Sequence, residues 1–277
     1  MITKPAAHGT MSLYARYAGN PAENYQRYFV PDIGEPFAKR IVAAAMLRQG
    51  ERVLDVACGT GVATRLAAEA TGSPSLIAGI DLNPTVVDVA RVTDAVGSEI
   101  DWHEGAAENL PFDDETFDVV VSSLGFQFFT DKTAALGEMR RVLTPGGRIS
   151  IGTTGPTPPS LQAIDAVLGT HLGPEASRFI QTVFSVHDPT DMQSMLEEAG
   201  FTAVDVDLGT IPLRVAPPAD FVWQYVNSTP LAALAANLDE EGCVAVEQAV
   251  IERCEPFTDR GALVIEPQIL VATARRD

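Results

Sequence analysis

The stretch VLDVACGTG, residues 53–61, runs an apolar strand carrying one acid, Asp55, into glycines at Gly59 and Gly61. Glycine removes a side chain where backbone meets a ligand or needs φ > 0. Three ligand classes use such a turn between a strand and a helix. A triphosphate loop needs GxxxxGK[ST], whose lysine reaches the phosphates; ACGTGVATR has no lysine. A dinucleotide loop needs a small third residue in GxGxx(G/A), and that position here is Thr64. Asp55 lies four residues before Gly59, where a carboxylate opposes a pyrophosphate and suits a ligand with a cationic end. Asp81 ends the next apolar run. Dinucleotide enzymes also place an acid there, so Asp81 discriminates less than Asp55.

Residues from about 35 to 154 alternate β-rich and helical runs, the pattern of a parallel sheet with crossover helices. EPFAKRIVAAAMLRQG reads as a helix with Pro36 in its first turn and Gly50 past its end. RVLDVA, SLIAGID, IDWHEG, FDVVVSS and RISIGTT read as five strands, with TPGG a turn before the last. VATRLAAEATG, NPTVVDVARVTDAVG (capped by Asn83, ended by Gly97) and KTAALGEMRRVL read as the helices between them. Beyond the GPTPPS loop, residues 161–184 read as one or two helices, DPTDMQSMLEEAG as a helix capped by Asp188 and FTAVDVDL as a strand. A helical stretch over about 218–254 precedes LVIEPQILVATARR, which reads as one final strand.

VLDVACGTG resembles motif I of the class I S-adenosylmethionine-dependent methyltransferases. GIDLNPTVVDVA, AAENLPFDDETFDVVVSSLGFQFF and ALGEMRRVLTPGGRI follow at the spacing of the small-molecule group related to the ubiquinone and menaquinone C-methyltransferases. The resemblance implies an α/β fold: a Rossmann-like, seven-stranded, mostly parallel sheet with helices on both faces and helical lid insertions. It divides the chain into a cofactor-covering segment, 1–34, and a methyltransferase domain, 35–277, with insertions at about 156–187 and 216–256. The implied cofactor is S-adenosylmethionine, released as S-adenosylhomocysteine. By the same resemblance, backbone around Ala57, Gly59, Thr60 and Gly61 receives the amino-acid end, supported by Asp55. Asp81 takes the ribose hydroxyls and Leu82 lies against the adenine. Ala106 stands where relatives carry a polar acceptor for the adenine amine; Ala107 offers its N–H, and Glu104 or Glu108 is a substitute acceptor. Ser122 and Ser123 face the methionine end, and Tyr17 and Tyr28 in the N-terminal aromatic run cover the cofactor.

The resemblance places Gln127 near the transferred methyl and the acceptor over the strand-four edge. Methyl transfer from a sulfonium asks the protein mainly for alignment and exclusion of water, so a conspicuous catalytic motif is not required. Gln127 and His171 are the catalytic candidates, with His187 a second candidate base and His103 structural. Phe126, Phe128, Phe129, Phe179, Phe184, Trp223 and Tyr225 suggest together an apolar or aromatic small-molecule acceptor, while each alone fits core packing.

Composition narrows the partners. The 277 residues carry a formal charge of −18, from 37 acidic and 19 basic side chains, which repels phosphate backbones and anionic membranes. The edge SSLGFQFF lacks the Asn/Asp-Pro-Pro-aromatic run of the amino-methylating DNA enzymes. Neither nucleic acid nor membrane is expected as a partner, and a homodimer is a candidate assembly. No apolar run reaches the roughly 20 residues of a membrane span, and the three cysteines form no CxxC pair. No metal is expected, and the cytoplasm is the simplest setting. Two other functions stay open: a non-catalytic protein that keeps the S-adenosylmethionine site, and an NAD-dependent oxidoreductase, against which Asp55 and Thr64 count.

Overall fold

A computed structural model describes residues 12–72, 75–93 and 99–277. Its central sheet contains β1 (Val53–Val56), β2 (Ile77–Asp81), β3 (Ile100–Glu104), β4 (Phe117–Ser123), β5 (Leu143–Thr154), β6 (Thr202–Thr210) and β10 (Gln268–Arg275). The order is β3-β2-β1-β4-β5-β10-β6. β1 to β5 pair in parallel, and β10 runs antiparallel between β5 and β6. Strand alternation sends Leu54, Val56 and Val120 to one face and Val53, Val119 and Val121 to the other. Helices Lys132–Val142 and Pro189–Glu198 cover the first face through Leu136, Met139, Met192 and Leu196. Burial on both faces is why β1 and β4 read as nearly continuous apolar runs.

The expected strands and helices of residues 35–154 are present, with two differences. Helix Glu35–Ala44 stops early, at a turn in which Met46 takes φ 47°. The helix after β2 is described as Pro84–Thr93, and Gly97, its expected stop, lies outside the described residues. TPGG is no turn between elements. It is a bulge inside β5, where the pairing with β4 shifts register between Phe117 and Val119. Gly146 takes φ 79° there, and a Cβ on Gly147 would lie 2.8 Å from the Thr144 carbonyl oxygen, so both positions demand glycine.

The carboxyl-terminal part differs more. LVIEPQILVATARR is two strands, β9 (Ala262–Ile265) and β10, broken at Glu266-Pro267. β9 leaves the main sheet and pairs with β7 (Leu213–Val215) and β8 (Thr258–Asp259) in a small antiparallel sheet. Proline interrupts the ladder because it has no N–H to donate. The insertions comprise helices Pro159–His171 and Pro174–Val183, then Pro218–Asn227, Ala232–Ala235 and Glu240–Cys254.

The described part of the N-terminal segment packs onto those insertions in one apolar cluster. Tyr14 meets Trp223 edge-on at 5.1 Å, and the Tyr17 hydroxyl donates to Asp220 at 2.5 Å. Glu247, buried, accepts from Trp223 Nε1 at 2.7 Å and from the Leu13 N–H at 2.6 Å, which ties the N-terminal segment to helices Pro218–Asn227 and Glu240–Cys254. Residues Tyr25–Gly34 wind as a wide π-helix containing Pro31. Its first residue, Tyr25, stacks on Phe29 at 4.7 Å and is set over the carboxyl ends of β1 and β2.

Candidate active site

At the carboxyl ends of β1, β2 and β4, where the strand order reverses, lies a cavity of about 550 Å³. That is the crevice in which open α/β sheets bind ligands. Asp55, Ala57, Gly59, Asp81, Leu82, Ala106, Ala107 and Glu108 all line it. The turn is shaped by backbone strain: Ala57 takes φ 60°, Gly59 φ 55° and Gly61 φ 87°. A Cβ on Gly59 would meet nothing nearer than Tyr25, at 4.0 Å, so this glycine opens toward the cavity. Gly61 does something else. Its Cβ would lie 2.3 Å from the Trp102 ring, so the residue is required for packing against β3 and does not line the cavity. Gly125 is required likewise, since a Cβ there would lie 2.4 Å from that of Ala57.

Asp55 is 1% exposed. Its Oδ2 accepts from the Thr64 hydroxyl at 2.6 Å, while its Oδ1 has no partner. Burial, with Asp81 nearby, pushes its pKa up to about 7. Thr64, the residue that departs from the dinucleotide fingerprint, is therefore the support of this carboxylate. Asp81 Oδ2 accepts from the Gly59 N–H and Oδ1 from the Asn83 N–H, each at 2.9 Å. Each oxygen thus already holds one backbone donor, a use its sequence position did not reveal. Burial raises the Asp81 pKa as well. Leu82 is 70% exposed at the rim. Glu108 Oε1 accepts from the N–H groups of Thr130 and Asp131, fixing that acid at the Ala106 end; Glu104 does not line the cavity.

Five expected cofactor residues fall outside the lining: Gly61, packed against Trp102, and four more. Tyr17 and Tyr28 meet each other edge-on in the apolar cluster under the lid; the segment reaches the cavity through Pro21, Ala22, Tyr25 and Gly34. Thr60 is buried, with its carbonyl accepting from Arg65. Ser122 is fully buried on the wrong side of a strand whose next residue, Ser123, lines the cavity.

A second cavity, of about 510 Å³, adjoins the first and shares Tyr25, Leu124, Phe128 and the Ser228–Pro230 turn with it. Its lining is predominantly apolar and rich in aromatic rings, Phe29, Phe37, Phe128, Phe179 and Phe184 among them, with Phe128 stacked on Phe179 at 6.2 Å. Gln127 lines it, on a 3₁₀ turn (Phe126–Phe128) just past β4. Tyr225 lines it, whereas Trp223, Phe126 and Phe129 do not; Trp223 and Phe126 are fully buried. His171 lines neither cavity: it lies at the far end of its helix from Leu161, the residue that reaches the second cavity. His187 is held by the Phe184 carbonyl at 2.7 Å, and His103 lies 2.8 Å from Asp101. The sequence reasoning missed the Ser228–Pro230 turn, although the helix-breaking STP in an otherwise helical stretch marked it.

The family model of the methyltransferase domain matches residues 54–151. A demethylmenaquinone methyltransferase of Staphylococcus epidermidis is 31% identical over 180 residues, covering 61% of this chain and 75% of the relative. The chain belongs to the class I S-adenosylmethionine-dependent methyltransferases. Two solved structures share the fold of this methyltransferase. A putative methyltransferase from Bacillus halodurans has TM-score 0.55 and 20% identity, over 86% of this chain and 98% of that one. The YcgJ protein of Bacillus subtilis has TM-score 0.56 and 21% identity, over 87% and 98%. S-adenosylmethionine is accordingly the cofactor of the enzyme. Among the described residues no helix is long and apolar enough to cross a membrane.

Proposed function

We propose that this methyltransferase binds S-adenosylmethionine in the glycine-turn cavity and passes its methyl group to an apolar, aromatic small molecule in the second cavity. One observation carries the reading: an aromatic cavity opens directly beside the glycine turn, with Tyr25, Leu124 and Phe128 common to both. The first cavity fits the cofactor. The orphaned, buried Asp55 Oδ1 asks for a donor, and an ammonium answers it without the repulsion a pyrophosphate would meet. Gly59 leaves open space in front of the turn backbone.

In this scheme Asp55, Ala57 and Gly59 hold the amino-acid end, and the remaining acceptor capacity of Asp81 takes the ribose. Leu82 covers the adenine, the Ala107 N–H donates to its ring and Glu108 replaces the missing acceptor at Ala106. The bound cofactor supplies an electrophilic methyl on a sulfonium. Tyr25 and Leu124, common to both cavities, flank the line of transfer, and the π-helix and the Ser228–Pro230 turn exclude water. His171 has no part, and Gln127 acts on the acceptor side. Residues 12–34 act with the helical insertions as one cover over both cavities.

Calorimetric titration with S-adenosylmethionine, S-adenosylhomocysteine and NAD tests the first half. The first two bind and NAD does not; NAD binding alone contradicts the role of Asp55. Incubation with methyl-labelled cofactor and a panel of neutral aromatics tests the second half, with label expected in an aromatic product. Label confined to polar, non-aromatic acceptors from a parallel panel contradicts it.

A further inference from the structure

The second cavity is lined by no Asp, Glu, Lys, Arg or His among the described residues. Its three threonine hydroxyls are already committed. The hydroxyls of Thr154, Thr182 and Thr229 donate to the carbonyls of Val183 (2.6 Å), Arg178 (2.9 Å) and Val226 (3.1 Å). Burial raises the Tyr25 and Tyr225 phenols above their usual range, so both stay neutral. Gln127 and Ser228 differ. Gln127 is 4% exposed, and its Nε2 donates to the Leu124 carbonyl at 2.9 Å. A carbonyl can only accept, so the amide is oriented by its network: the NH₂ faces Leu124 and Oε1 faces away. Oε1 is buried and has no partner. Ser228, 6% exposed and shared by both cavities, likewise has a buried Oγ without a partner. Buried polar atoms are ordinarily paired, and those that are not call for a specific explanation.

Building on the acceptor site assigned above, we propose that Gln127 Oε1 is a fixed hydrogen-bond acceptor that selects uncharged aromatic substrates bearing a ring O–H or N–H, with Ser228 taking a second polar atom. Gln127 is then a specificity-determining residue. It cannot serve as the proton acceptor, because a primary amide does not hold a proton at neutral pH. An anionic substrate is disfavoured, since no cationic side chain among the described residues lines the cavity to offset its desolvation. An aromatic donor that fits satisfies Oε1 and stacks among the phenylalanines.

Equilibrium binding of naphthol, naphthalene, methoxynaphthalene and naphthoate, in saturating S-adenosylhomocysteine, tests this on the full chain. Naphthol is expected to bind roughly tenfold tighter than naphthalene or methoxynaphthalene, the size of one buried hydrogen bond, with naphthoate weakest. In Gln127→Met the naphthol preference collapses toward unity while affinity for naphthalene and for S-adenosylhomocysteine holds. Ser228→Ala leaves the naphthol affinity and its preference in place, because naphthol carries no second polar atom. Equal wild-type affinity for naphthol and naphthalene, or a preference that survives Gln127→Met, overturns the proposal while the cofactor site stands. Failure of S-adenosylhomocysteine to bind the wild type removes the cofactor site and this proposal with it.

Discussion

Asp55→Asn tests the electrostatics of the glycine turn. In the ligand-free protein burial holds the Asp55 pKa near 7, so below neutrality the carboxyl is mostly protonated and offers no charge to an ammonium. Cofactor binding then has to be accompanied by loss of that proton. Raising the pH from about 5.5 to about 7.5 lifts the ionised fraction roughly 25-fold, worth about 2 kcal/mol of apparent affinity. Calorimetry with S-adenosylhomocysteine across that range should therefore show affinity rising with pH in the wild type. It should also show proton release that depends on the ionisation enthalpy of the buffer. In Asp55→Asn the rise disappears and affinity at the upper pH falls by about the same 2 kcal/mol. The apo protein behaves oppositely. The folded-state pKa lies above the unfolded one, so the stability that proton binding contributes is full below about pH 4 and is lost as pH rises through about 7, by up to about 4 kcal/mol. Asp55→Asn should flatten that slope. A wild-type affinity independent of pH, or an equal slope in Asp55→Asn, would refute the assignment of Asp55 to the cationic end.

Five other substitutions separate roles that the motifs leave merged. Asp81→Ala should weaken S-adenosylhomocysteine binding by about 2 kcal/mol or more, since it also frees the Gly59 and Asn83 amides, whereas Gln127→Ala should leave that affinity unchanged and slow turnover; equal losses would contradict the site map. Gly61→Ala should lower thermal stability by more than about 2 kcal/mol, because its Cβ would lie 2.3 Å from Trp102 at φ 87°. Gly59→Ala, which meets open space at φ 55°, should cost about 1 kcal/mol of stability in the same calorimeter and show its larger loss in cofactor affinity. Thr64→Val leaves Asp55 without its one side-chain donor; denaturant unfolding at neutral pH should show a loss of about 1–3 kcal/mol, smaller at low pH where the carboxyl is neutral.

The order of elements through Thr154 was legible because most turns there carry local chemistry, such as an Asn83 cap, a glycine at Gly72 and a proline at Pro84; the early stop at Ala44 and the TPGG bulge did not. The cavity-lining residues legible from the motifs, from Asp55, Ala57 and Gly59 to Asp81, Leu82 and the run at Ala106, sit at or just past strand ends, where the strand-to-turn step sets their place. What local pattern could not supply was direction and distance. Gly59 and Gly61 look alike in GTG, yet only the neighbouring Trp102 determines that one opens to ligand and the other to packing. Ser122 and Ser123 are exchanged by a single step of strand alternation. Tyr17, Tyr25 and Tyr28 form one aromatic run, and the π-helix that starts at Tyr25 decides which ring reaches the cavity. His171 met the chemical requirement for a base and failed on position alone. The single final strand failed because Pro267 lets two short strands serve different sheets, an outcome set by long-range pairing.

A crystal structure of the protein with S-adenosylhomocysteine tests the central assignment most directly. The amino-acid end should meet Asp55, Ala57 and Gly59, the ribose Asp81, and the sulfur should face the aromatic cavity between Tyr25 and Leu124. Binding with the sulfur turned away from that cavity, or at another face of the sheet, would contradict the account.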